Sequence, residues 1–107
     1  MKRYGMVIQL KSEKIAEYIE LHKAVWPEVL TILSAHHVKN YSIFLKDHFL
    51  FGYLEYHGHD FAADMQKIAN QEVTQRWWKL TELCQLPLAT RAEGEWWAAM
   101  QEVFYHE

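Results

Sequence analysis

The hydrophobic period of this chain switches repeatedly between two and 3.6 residues, and the order of the switches limits the fold more than any single motif. Tyr4 to Leu10 alternate like a strand, with Tyr4, Met6, Ile8 and Leu10 on one side and Gly5, Val7 and Gln9 on the other. Lys11-Ser12-Glu13 reads as a helix start, with Ser12 as cap and Glu13 at the positive end of the dipole. From Glu13 to about His36 the pattern is helical, one stripe collecting Ile15, Tyr18, Ile19, Leu21, His22, Val25, Trp26, Val29, Ile32 and Leu33. Pro27 falls inside that stripe, where a helix loses a backbone bond, so the helix should kink or restart one turn after His22. Lys39 to Leu45 and Phe49 to Tyr56 form a hairpin across Lys46-Asp47-His48. A second helical region spans about Asp60 to Leu86 with a break near Asn70-Gln71; a long connection follows, and Met100 to His106 reads as the closing strand.

Strand, helix, strand, strand, helix, strand is the βαββαβ order of a ferredoxin-like α+β sandwich, with both helices on one face of an antiparallel sheet. At 107 residues it reads as a single domain over residues 1–107. The second face of such a sheet should be polar in a lone domain. Here Phe44, Leu50, Leu54 and Phe104 read as one side of their strands, and Tyr41, Ile43, Phe51, Tyr53 and Val103 as the other, so both faces are apolar. A two-fold homodimer with the sheets face to face solves that problem.

Composition removes several function classes. A net charge of −3, from 11 Lys+Arg and 14 Asp+Glu, supplies no basic face, so no nucleic-acid partner is expected. No apolar run is long enough to cross a membrane, and the start Met1-Lys2-Arg3 does not read as a signal peptide, which suggests a cytoplasmic protein. The lone Cys84 excludes an internal disulfide and a multi-cysteine zinc site, and it reads as a buried small hydrophobe. His57-Gly58-His59 lacks identifiable further ligands for a metal, and His36-His37 suits the negative end of a helix.

His22 carries the chemistry best. It lies on the apolar stripe one turn after Tyr18 and one turn before Trp26, and an imidazole can give or take a proton near neutral pH. Its plain alternative is a core histidine satisfied by a carbonyl. Trp77-Trp78 is the second feature; neighbouring helical residues point about 100° apart, so the pair makes either a core plug with a surface neighbour or an apolar corner. Indole faces suit the C–H face of a sugar ring, and their N–H groups suit hydroxyls. Trp96-Trp97 repeats the doublet before the last strand, as a lid or a dimer contact.

Tyr18-Ile19-Glu20-Leu21-His22, Trp26-Pro27-Glu28, Asn40-Tyr41-Ser42-Ile43-Phe44-Leu45, Arg76-Trp77-Trp78 and Gln101-Glu102-Val103-Phe104-Tyr105 together resemble the L-rhamnose mutarotase family, from Met6 to Tyr105. The resemblance implies a dimeric α+β barrel and interconversion of the α and β anomers of a 6-deoxy-L-hexose: L-rhamnose first, L-fucose second. It implies no metal and no organic cofactor. It makes His22 the proton donor and Tyr18, Tyr41, Trp77 and Trp78 the sugar-binding residues. Glu102 and a bound water are the candidates for a partner in proton transfer. Competing readings on the same fold are a cofactor-free monooxygenase, a lactone isomerase and a non-catalytic sugar-binding module.

Overall fold

The computed structural model describes residues 1–107. Its elements run β1 (Lys2–Leu10), a 3-10 turn (Ser12–Lys14), α1 (Ile15–His22), α2 (Pro27–Ala35), β2 (Val38–Lys46), β3 (Phe49–Tyr56), α3 (Phe61–Ala69), α4 (Glu72–Glu82), β4 (Gln85–Leu86) and β5 (Ala98–Met100). The expected α+β order is present, with each predicted helical region divided in two. An antiparallel sheet ordered β2-β3-β1-β4 also takes β5 against β1.

Both helix breaks have local causes. Pro27 stands at the first position of α2, where its missing N–H costs nothing, and Trp26 before it is extended at ψ 129°, as a residue preceding proline should be. The second break falls at Asn70-Gln71, as the sequence suggests, and Asp60 caps α3 by accepting from the Ala63 N–H at 3.1 Å. Ser12 does not cap: it already lies inside the 3-10 turn, which Lys11 precedes, and no side chain caps that turn. α2 ends at Ala35 with the His36 Nδ1–H donating to the Ile32 carbonyl at 2.7 Å.

The face of each strand follows from register. Leu10↔Gln85, Ile8↔Leu50 and Tyr4↔Leu54 place one set under the helices, where Ile8, Leu10, Leu50, Cys84 and Tyr18 form one buried cluster and Val38, Leu54, Tyr56 and Ile68 a second. β2 changes parity on the way. Lys39 pairs with Glu55 and Ser42 with Tyr53, so Asn40 and Tyr41 together oppose Leu54, a β-bulge. Asn40 adopts the left-handed region (φ 48°), and its amide donates to Glu55 Oε1 at 2.7 Å. Counting by twos from buried Val38 would send Phe44 inward. The extra residue sends Tyr41, Ile43 and Leu45 inward instead and leaves Phe44 beside Phe51 on the outer face. The grouping of Phe44 with Leu50 and Leu54 is thereby corrected.

Two other expectations change. The closing strand is only Ala98–Met100, and residues 101–107 have no regular structure. The register Gly5↔Met100 leaves only the first few residues of β1 opposite this segment. Side chains hold it there: Arg3 pairs with Glu102 at 3.0 Å, and its guanidinium lies 3.3 Å from the Tyr105 ring centroid. Trp97 is no lid, because it packs against the first core cluster above Gly52. A Cβ on Gly52 would meet Met6 Cγ at 2.9 Å and Trp97 at 3.5 Å, so the missing side chain makes room for both.

Candidate active site

α1 is a short helix whose last two turns present Tyr18 and His22 on one face. The chain is then non-helical until Pro27, and this gap leaves space between α1, α2 and the inward side of β2 and β3. A cavity of about 430 Å³ fills it, lined by Tyr18, Ile19, His22, Lys23, Val25, Val29, Leu30, Leu33, Tyr41, Ile43, Leu45, Leu50 and Trp77. That volume lies in the range of small-ligand sites, and mostly apolar walls with a few polar heads are their usual make-up.

The cavity brings together four of the five residues selected from the sequence. Tyr18 and His22 rings stack at 4.2 Å, and Trp77, 5 % exposed, meets His22 edge-on at 5.4 Å. Trp26 backs Trp77 at 5.2 Å and holds that indole from behind. Tyr41 comes from across the sheet through the bulge. Trp78 is not among the lining residues and stands 40 % exposed, so the pair divides into an inner and an outer indole. Glu102 is occupied by Arg3 in the C-terminal segment and does not line the cavity, which removes it as a proton-transfer partner within this protomer.

The hydrogen bonding of His22 decides what its ring can do. Nδ1 lies 2.9 Å from the Tyr18 carbonyl oxygen. A carbonyl only accepts, so Nδ1 carries the proton and Nε2 of the neutral ring holds a lone pair. The plain alternative and the chemical reading therefore coincide: a carbonyl satisfies one nitrogen, and the other is left for a ligand. Burial, with the nearby Tyr41 phenol adding to it, holds the Tyr18 hydroxyl well above the ordinary tyrosine range. Burial of the Tyr41 hydroxyl end pushes that group up to about 12, although one side of the ring reaches solvent. Both phenols thus stay protonated at neutral pH and act as hydrogen-bonding groups, not bases.

Cys84 is fully buried and donates to Glu17 Oε2 at 3.2 Å; burial and that carboxylate push its thiol up to about 11, which suits packing and not nucleophilic attack. Lys23 brings an ammonium to the rim, paired with Glu20 at 2.7 Å. Sequence reasoning passed over Lys23, Trp26 as a support, and Gln85. For Gln85 a signal existed, a lone amide in the apolar run Leu83-Cys84-Gln85-Leu86.

The profile of a family described as L-rhamnose mutarotase matches residues 3–106. The L-rhamnose mutarotase of Bacillus subtilis (strain 168) is 40% identical over 81 residues, covering 74% of this chain and 75% of that protein. That of Listeria monocytogenes serotype 4b (strain F2365) is 41% identical over 81 residues with the same coverage. Among solved structures, an L-rhamnose mutarotase from Formosa agariphila superposes with a TM-score of 0.79 over the whole of both chains at 24% identity. Tetracenomycin F2 cyclase from Streptomyces glaucescens, a type-II polyketide cyclase, superposes at 0.61 and 18% identity over 100% of this chain and 97% of its own. At those identities the two structures speak for the shared fold alone.

Proposed function

The chain belongs to the L-rhamnose mutarotase family, and we infer that it is an isomerase that interconverts the α and β anomers of L-rhamnose in the cavity beside His22. The observation that carries this reading is the Nδ1 bond to the Tyr18 carbonyl, which turns a free imidazole lone pair toward a sugar-sized space.

Mutarotation opens the pyranose, rotates the C1–C2 bond and closes the ring on the other carbonyl face. The anomeric hydroxyl gives its proton to His22 Nε2. The C1–O5 bond breaks with its electron pair going to O5, and the imidazolium returns the proton to O5. Closure after rotation runs the same transfers backwards, so no covalent intermediate forms and the proton count balances. The Tyr18 hydroxyl steadies the charge that builds on O5, and the Tyr41 hydroxyl holds another oxygen of the ring. Trp77, with Val29, Leu33 and Ile43, offers an apolar wall to the ring carbons and the 6-methyl group and keeps bulk water from the opened aldehyde. Trp78 flanks the site from the exposed side of α4 with a smaller share in binding. Positioned proton transfer is worth about 10²–10⁴-fold, enough for a reaction that already proceeds in water.

The functional unit in this reading is a homodimer. Phe44 (66 % exposed) and Phe51 lie together on the outer sheet face, and Val103 and Phe104 project at 89 % and 82 % exposure from the C-terminal segment. A second copy, sheet against sheet, would cover what water otherwise touches. No helix is long and apolar enough to cross a membrane; action in the cytoplasm also fits the single cysteine.

Saturation-transfer NMR between the C1 protons of the two L-rhamnose anomers tests the activity directly, with L-fucose and unrelated aldoses alongside. Accelerated exchange on L-rhamnose is expected. Acceleration on L-fucose alone would move the substrate, sugar binding without exchange would support a binding module, and no effect on any sugar would return the site to the oxygenase or lactone class.

A further inference from the structure

Gln85 is 4 % exposed, and β4 places it opposite Leu10 beside the first core cluster. A buried amide needs partners for both ends. The Trp96 indole N–H donates to Oε1 at 2.8 Å. An indole nitrogen is donor only, so it fixes which end of the amide is the oxygen and turns Nε2 the other way. Gln85 is also hydrogen-bonded to the Tyr18 hydroxyl. An NH₂ group has protons to give and no lone pair to accept with, so the Tyr18 oxygen must be the acceptor.

We propose that Gln85 is a positioning residue for the sugar reaction: held by Trp96, its amide donates to the Tyr18 oxygen and commits the hydroxyl's own proton to the cavity. This rests on reading that cavity as the sugar site. Without Gln85 the Tyr18 hydroxyl rotates freely between donating and accepting. With it, Tyr18 is a dedicated donor one helical turn from His22, whose Nε2 is a dedicated acceptor. A hemiacetal that must lose a proton at O1 and gather charge at O5 meets one group of each kind, already aimed. The segment Leu86 to Glu95, which separates Gln85 from Trp96, thereby gains a role: it brings a donor-only side chain back onto the amide.

Gln85→Glu tests the polarity at nearly constant shape. A carboxylate still accepts from Trp96 but cannot donate, so the Tyr18 hydroxyl turns its proton away from the sugar. Anomer exchange should fall roughly tenfold at neutral pH, the weight of one well-placed hydrogen bond. The ratio of variant to parent rates should climb as acidification protonates the new carboxyl, which then has a proton to give. The titratable groups around it are Tyr18 and Cys84, both protonated through neutral pH, and Glu17 bonded to Cys84. A parent-like rate at neutral pH, or a loss whose ratio stays flat with pH, overturns the proposal; a flat loss marks a merely structural residue. A second readout needs no sugar. The Trp96 indole N–H resonance should keep its hydrogen-bonded shift in Gln85→Glu and lose it in Gln85→Leu, and an unchanged resonance in Gln85→Leu overturns the amide orientation. A parent that accelerates no aldose exchange refutes the sugar reading, while the indole resonance still judges the hydrogen-bond arrangement by itself.

Discussion

Replacing His22 with alanine separates catalysis from both folding and binding, because the three lose different amounts. The ring is half-buried and makes one hydrogen bond, Nδ1–H to the Tyr18 carbonyl at 2.9 Å, with a stacked contact to Tyr18 and an edge contact to Trp77. The bond is worth about 1 kcal/mol, and an aromatic contact about 0.5–1.5 kcal/mol. The variant should therefore lose about 1–3 kcal/mol of stability, a fall of roughly 5–20 °C in Tm for a domain of this size. A sugar that loses its one contact with Nε2 should bind no more than about tenfold more weakly. The rate has further to fall: about 10²–10⁴-fold, which is about 3–5 kcal/mol of barrier. Exchange is read by saturation transfer at the anomeric protons of L-rhamnose, and affinity by quenching of tryptophan fluorescence as sugar fills the space beside Trp77. Folding is checked by near-ultraviolet circular dichroism. A folded variant that still exchanges anomers within threefold of the parent would falsify the assignment of proton transfer to this imidazole. A rate loss matched by an equal loss of affinity would reduce His22 to a binding residue.

Other outcomes follow from the same geometry. Trp77→Phe should weaken L-rhamnose binding about tenfold in a fluorescence or NMR titration, because the apolar wall shrinks, whereas the outer indole gives Trp78→Ala an effect within about threefold; equal losses would contradict the division of the pair. Phe44→Asp with Phe51→Asp should shift the protein toward monomer by light scattering while far-ultraviolet circular dichroism stays unchanged, and a dimer that persists would place the contact on another face. Gly52→Ala should destabilise the fold by about 1–3 kcal/mol in denaturant titration, since Met6 and Trp97 occupy the space the new methyl needs. Stability should also fall in alkali. The Cys84 thiol is raised from 9.0 to about 11 and the Tyr41 phenol from 10.0 to about 12, so each favours the fold fully below its lower value. That contribution is lost as pH climbs from 9.0 toward about 12. A Tm that does not decline across this range would mean that these groups are open to water.

Local chemistry is legible along the chain, and it accounts for the element order, the hairpin from Phe49 to Tyr56, the restart of the helix at Pro27 and the break near Asn70. Each of these depends on residues within a few positions of one another, through side-chain period, a missing N–H or a turn, and so each is written in a short window of sequence. His22 and Tyr18 were legible as a pair for the same reason, since one helical turn joins them. Tyr41 could be named by likeness, but its direction could not be read, because one extra residue at Asn40 inverts the parity of everything after it and only pairing with β3 reveals the bulge. Trp97 looked like a lid until the absence of a side chain at Gly52, 45 positions away in sequence, gave it a seat in the core. The segment from Gln101 onward has the composition of a strand, yet it finds too little of β1 left to pair with. The roles of the two nitrogens of His22 and the two ends of Gln85 were set last, by which acceptor or donor the folded chain brings against each. Periodicity travels with the sequence; cross-strand register and the polarity of a buried hydrogen bond exist only once distant segments meet.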